Sequence, residues 1–96
     1  MLLHEPLAPD IATALIHRIV REGSVAISKH ARTEMAADNL TTVDCTNVMR
    51  CGAVSEAADL ERRTWRYRIH TRRMCVVVAF RSEVELVVVT AWRKKP

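Results

Sequence analysis

A change of hydrophobic period near Gly52 predicts an α+β fold. Before it, apolar residues recur at helical spacing in segments bounded by helix-start and helix-stop residues. After it, they alternate or run continuously over strand-length stretches. The later stretches are joined by short links, which favour antiparallel hairpins over crossovers. The expected architecture is N-terminal helices packed on a small antiparallel β-sheet, a C-terminal meander of three or four strands. It forms a single domain over residues 1–96, with a core of about 10–93 and a basic tail at 94–96.

Pro9 and Asp10 open the first helix, with Asp10 placed to cap free amides. Ile11, Leu15, Ile16, Ile19 and Val20 give its apolar stripe, and Gly23 ends it. Val25 to Ile27 reads as a short strand or extended link. Ser28 is an N-cap for a second helix that buries Ala31, Met35 and Leu40, and Asn39 is its left-handed stop. Thr41 to Asp44 resembles a capping box with Asp in place of Glu or Gln. It starts a third helix with Val43, Val48 and Met49 inward and Gly52 as terminator.

Beyond Gly52, Ala53 to Ala57 predicts a short strand and Asp59 to Arg63 a charged turn. Thr64 to Thr71 alternates strictly: Trp65, Tyr67 and Ile69 on one face, Arg66, Arg68 and His70 on the other. Arg72 and Arg73 form a tight turn. Met74 to Phe80 and Val84 to Trp92 are nearly continuous apolar runs, read as strands covered on both faces.

The charge is divided unevenly. Up to Glu61 five Lys/Arg stand against nine Asp/Glu, and from Arg62 onward ten stand against two. A basic C-terminal half is a footprint for a polyanion, most often nucleic acid. No apolar run approaches the roughly 20 residues that span a bilayer. Met1 to Pro6 lack the basic start and long apolar stretch of a secretory signal. Cys45, Cys51 and Cys75 cannot all pair and show no metal-type spacing, so they read as reduced, packed thiols in a cytoplasmic protein. The sequence offers no metal ligand set, no nucleotide-cradling glycine loop and no nucleophile elbow, and no cofactor is expected.

What remains is a constellation of arginine and histidine. Metal-free RNA cleavage needs a base for the 2′-hydroxyl, an acid for the leaving oxygen and a cation for the phosphorane. His30 and His70 are the acid–base candidates, and Arg66 and Arg68 the phosphate clamp. Lys29 and Arg32, in the first turn of the second helix, are further phosphate contacts. Arg72, Arg73 and Arg93, with Lys94 and Lys95, add sequence-independent affinity, and Trp92 offers a surface for base stacking. The plain alternatives are a solvated basic face, a helix-supporting His30 and a Trp92 that shields the sheet edge.

The run Ser28-Lys29-His30-Ala31-Arg32, then Met35, a helix from Thr42, Gly52 and the closing Val87-Val88-Val89-Thr90-Ala91-Trp92 resemble the bacterial domain of unknown function 4258 family. The likeness runs from about Val25 to Arg93. Through that family it extends to the MqsR and RelE-like ribonuclease toxins. It implies a RelE/MqsR-like fold and the toxin component of a toxin–antitoxin pair, a metal-independent endoribonuclease that cuts mRNA. The catalytic residues would be His30, Arg68 and His70, with Thr90 and Trp92 beside the RNA, and an antitoxin protein would restrain it. Two positions depart from the family pattern: Glu34 stands where an arginine is usual, and Trp92 where a tyrosine is. The other readings of the same residues are a non-catalytic RNA- or protein-binding module with a decayed site, and a homodimeric interaction domain using the Val-rich strand.

Overall fold

Pro9 at the first helical position starts α1 (Pro9–Glu22), where its missing N–H costs nothing. The N-cap is Ala8 and no side chain caps the helix, so Asp10 contributes only as an acidic first-turn residue. Gly23 ends α1 because a Cβ there would strike the Val84 carbonyl; its φ is negative. The computed structural model describes residues 3–95; Met1 and Leu2 of the N-terminal reading, and Pro96 of the basic tail, lie outside them.

The remaining elements are β1 (Ser24–Ile27), α2 (Lys29–Ala37), α3 (Thr42–Cys51), β2 (Ala53–Val54), β3 (Asp59–Glu61), β4 (Thr64–His70), β5 (Met74–Phe80) and β6 (Glu85–Arg93). The Ser28 hydroxyl accepts from the Ala31 amide, and Asn39 sits at φ 54 beyond the end of α2. Thr41 and Asp44 form the full capping box, each side chain accepting from the other's amide, at 3.1 and 2.8 Å.

The sheet is mixed rather than a small antiparallel meander. It has six strands, in the order β1-β6-β5-β4-β2, with β3 also on β4. The meander β4–β5–β6 is antiparallel as expected, but β1 pairs parallel with β6, Ser24 facing Glu85 and Ile27 facing Val88. The segment expected to be a strand over Ala53 to Ala57 pairs only at Ala53 and Val54. Asp59–Glu61, expected as a turn, is a strand opposite β4. The turn itself is Arg62 and Arg63, with φ 51 and 66, the left-handed pair that a two-residue hairpin requires.

One face of the sheet holds the core. Tyr67, Ile69, Val76, Val78, Leu86 and Val88 join Ala12, Ile16 and Ile19 of α1, Ala31 and Met35 of α2, and Cys45, Val48 and Met49 of α3. Each fully buried large side chain contributes about 1.5–3 kcal/mol. Tyr67 is a core residue, its ring 5.0 Å from that of Phe80. Its hydroxyl donates to Glu5 and accepts from the Leu7 amide, tying the N-terminal arm to β4. Two apolar residues assigned inward lie outward: Ile11 is 54% and Val43 66% exposed. Both occupy first turns, where only the side facing the next layer is covered. β6, expected to be covered on both faces, instead alternates between buried and half-buried, because only one face meets the helices. Cys45 and Cys75 are packed, whereas Cys51 is exposed.

Candidate nucleic-acid interface

Strand alternation puts Arg66, Arg68 and His70 on the face of β4 opposite the core. Register then places their neighbours. Cys75 lies between His70 and Trp92, and Val77 between Arg68 and Thr90. Neighbouring strands lie about 4.8 Å apart, so each row spans about 10 Å from β4 to β6. Arg66, Arg68, His70, Thr90 and Trp92 therefore share one face. Gly52 allows this by bringing the chain against β4; a Cβ there would sit 2.5 Å from the His70 carbonyl oxygen. The Gly52 carbonyl lies 2.9 Å from His17 Nε2, so His17 supports this junction from α1.

The three basic residues of β4 are already partnered. His70 Nε2 lies 2.6 Å from Glu56 Oε1, Arg68 Nη2 3.1 Å from Asp59 Oδ2, and Arg66 Nη1 3.4 Å from Glu61 Oε2. The hydrogen bond from His70 holds the Glu56 carboxyl below its ordinary pKa. The other imidazole nitrogen, Nδ1, is buried without a partner, as is Arg66 Nε. His70 thus presents no open nitrogen to solvent while Glu56 stays in place. Cys75 beside it is no nucleophile, since burial pushes its thiol up to about 11. Tyr67, on the opposite face, is held neutral by burial, with a pKa pushed up to about 12. The carboxylates at 56, 59 and 61 are ion-pair partners of these residues that the sequence pattern did not point to. The signal for them was the register of a two-residue hairpin centred on Arg62 and Arg63, which sets Asp59 opposite Arg66.

At the end of the sheet the cations outnumber the acids, Asp38 and Asp44 both lying near Arg93. Arg72 and Arg73, between β4 and β5, meet Arg93, Lys94 and Lys95 at the end of β6 around a cleft of about 510 Å³ with no carboxylate in its lining. Met74 pairs with Arg93, and the Lys94 amide donates to the Arg73 carbonyl at 2.7 Å, which clamps the tail against the turn. Arg93 is fixed further: its guanidinium donates to the carbonyls of Asp38 and Asn39 at the end of α2, and its amide to Asp38 Oδ2. Those carbonyl acceptors are neutral, and the acid whose carboxyl the charge of Arg93 reaches is Asp44 on α3.

Lys29, His30 and Arg32 lie on α2, which packs along β6, with β5 between β6 and β4. His30 is exposed and its charged neighbour is Glu34, at 3.8 Å. The structure therefore brings Arg66, Arg68, His70, Thr90 and Trp92 together, and Arg72, Arg73 and Arg93 together, while His30 and His70 keep separate partners. Among the described residues, no group of three or more His, Cys, Asp or Glu is arranged to hold a metal ion. No described helix is long and apolar enough to cross a membrane.

These features define an α+β domain with one core-bearing sheet face, an opposite face whose charged residues flank the buried Cys75 and Val77, and a cationic sheet end. The chain belongs to the family described as Domain of unknown function (DUF4258), whose model matches residues 27–93. No curated protein and no solved structure matched the chain in the comparisons made.

Proposed function

We propose that this protein is an RNA-binding domain that grips the phosphate backbone in the cationic cleft and stacks a base on Trp92 at the adjoining end of β6. The carrying observation is the cleft of Arg72, Arg73, Arg93, Lys94 and Lys95, lined by no acid. Such a cluster is electrostatically unfavourable alone and is relieved by a polyanion, whose binding releases counterions. Trp92, 37% exposed, supplies a stacking surface within reach of the same end of β6. The test is fluorescence anisotropy with single-stranded RNA across a salt series. Binding at about micromolar Kd, weakening steeply with salt, is the expected result. No binding at about 50 mM salt overturns the reading.

The His70–Glu56 pair supports a second reading: metal-independent endoribonuclease action by the toxin of a toxin–antitoxin pair, restrained by an antitoxin. Here Glu56 withdraws when RNA arrives, His70 takes the 2′-proton as the 2′-oxygen attacks phosphorus, Arg68 stabilises the phosphorane, and the P–O5′ bond breaks as water protonates the leaving 5′-oxygen. Cleavage that survives chelator and disappears in His70→Ala, together with growth arrest on expression that the same variant relieves, is the expected result. RNA bound but left intact overturns this second reading and leaves the first.

A further inference from the structure

The cationic cleft continues into a neighbouring hollow. Arg73 and Arg93 line both, and the second, of about 280 Å³, is walled also by Asp44, Asn47, Val48 and Met74. Its chemistry differs from that of the cleft. Val48 and Met74 are 3% and 7% exposed, so they form an apolar floor that the core already holds rigid. Asp44 and Asn47, three residues apart on α3, stand on one side of that helix and form a polar rim. Asp44 Oδ2 accepts from the Thr41 amide, so one carboxylate oxygen is held in place while Oδ1 is left for another donor. The capping bonds to Thr41, with the charge of Arg93 added, hold this carboxyl below its ordinary pKa, so it is an acceptor at neutral pH. Asn47 is exposed and offers a free amide.

Two arginines, Arg93 held by the Asp38 and Asn39 carbonyls and Arg73 exposed beside it, flank a hollow with an apolar floor and a polar rim, which matches one unit of an RNA chain: an anion, then a base with two apolar faces and a hydrogen-bonding edge. The bases differ in what that edge presents. Guanine alone places two adjacent N–H donors beside a carbonyl acceptor. A free carboxylate oxygen next to an amide is complementary to that order. We propose that this hollow is a guanine subsite. The preceding phosphate rests between Arg73 and Arg93, and the base lies on Val48 and Met74. Asp44 Oδ1 accepts from its N–H groups and Asn47 donates to its carbonyl. The inference rests on the RNA-binding reading and adds a base preference to it.

The experiment measures binding of short oligouridines carrying one central guanine, adenine, cytosine or uracil at fixed salt. Wild type prefers the guanine oligomer by about tenfold, the discrimination of one good edge contact. Asn47→Ala and Asp44→Asn each bring the guanine-to-uracil ratio close to one. Alanine is the better helix former at the exposed position 47, and asparagine keeps an oxygen for the Thr41 amide, so both variants retain the fold. Cys51 gives an independent readout, because its exposed thiol lines the same hollow whereas Cys45 and Cys75 are buried. Its alkylation by iodoacetamide is slowed by the guanine oligomer and not by the uridine one. Equal affinity for all four oligomers, or an unchanged preference in both variants, overturns the subsite and leaves RNA binding standing. Absence of binding to every oligomer overturns both.

Discussion

On β4, Arg66, Arg68 and His70 each face a carboxylate from the segment before them, whereas Arg72 and Arg73, only a few residues further on, face other cations. The chain is basic throughout this region, yet only one of the two groups is electrostatically open. Pairing with Glu56, Asp59 and Glu61 turns the first into a locally neutral surface, and a polyanion gains there only by displacing protein carboxylates. The second needs no such exchange. The availability of a cation therefore follows from strand register and turn geometry, not from local charge density.

Reversing the open group is the severest test of this contrast. Arg72→Glu with Arg73→Glu lowers RNA affinity by about 100-fold or more at low salt, read by anisotropy, because two contacts become two repulsions. The matching reversal on β4, Arg66→Glu with Arg68→Glu, lowers affinity by less than about tenfold, since those charges are already matched. It sets like charges across the β3–β4 pair and costs about 1 kcal/mol in urea unfolding. Equal losses in the two double variants would erase the distinction. Neutralising all three carboxylates with Glu56→Gln, Asp59→Asn and Glu61→Gln frees the row; affinity rises about tenfold and the salt dependence steepens.

The smallest effects concern the stability of the segment that carries Glu56, Asp59 and Glu61. Glu56 has a lowered pKa in the folded state, so its link to His70 stabilises the fold above the unfolded carboxylate pKa. That contribution is lost as pH falls through the lowered folded value. Urea midpoints measured down an acid series should therefore fall less steeply in Glu56→Gln than in wild type. Arg63→Gly relieves a left-handed arginine in the β3–β4 turn and raises stability by about 1 kcal/mol or less.

Much of the frame was readable from local chemistry. The alternation from Thr64 placed Tyr67 and Ile69 inward, where both are fully buried, and the unbroken run from Met74 marked the central strand. Ser28, the Thr41–Asp44 box and Asn39 were found because caps are local devices. Strand β3, which carries Asp59 and Glu61, was hidden because its hairpin turns on two arginines in left-handed conformation, without the Asn-Gly signal that announces such a turn. The parallel place of β1 was hidden because four residues with one apolar side carry no mark of their partner's direction. His30 and His70 each belong to a correctly placed element, but which element docks beside which is settled by packing, and α2 docks on β6. The family match begins at residue 27, yet Ala12, Ile16 and Ile19 of α1 lie in the same core as the matched region.

The parallel pairing of β1 with β6 also constrains the order of events during synthesis. Ser24 emerges from the ribosome early and must wait for Glu85, its register partner, before the sheet can accept it. Until then Ile27 has no strand beside it, and α1 can hold only the partners made with it or soon after. β5 and β6 are translated well after β1, and β6, the strand that begins at Glu85, is the one that takes in Ser24–Ile27. Closing this pair joins residues about sixty apart in the chain, a non-local contact whose loop entropy is paid before its hydrogen bonds form.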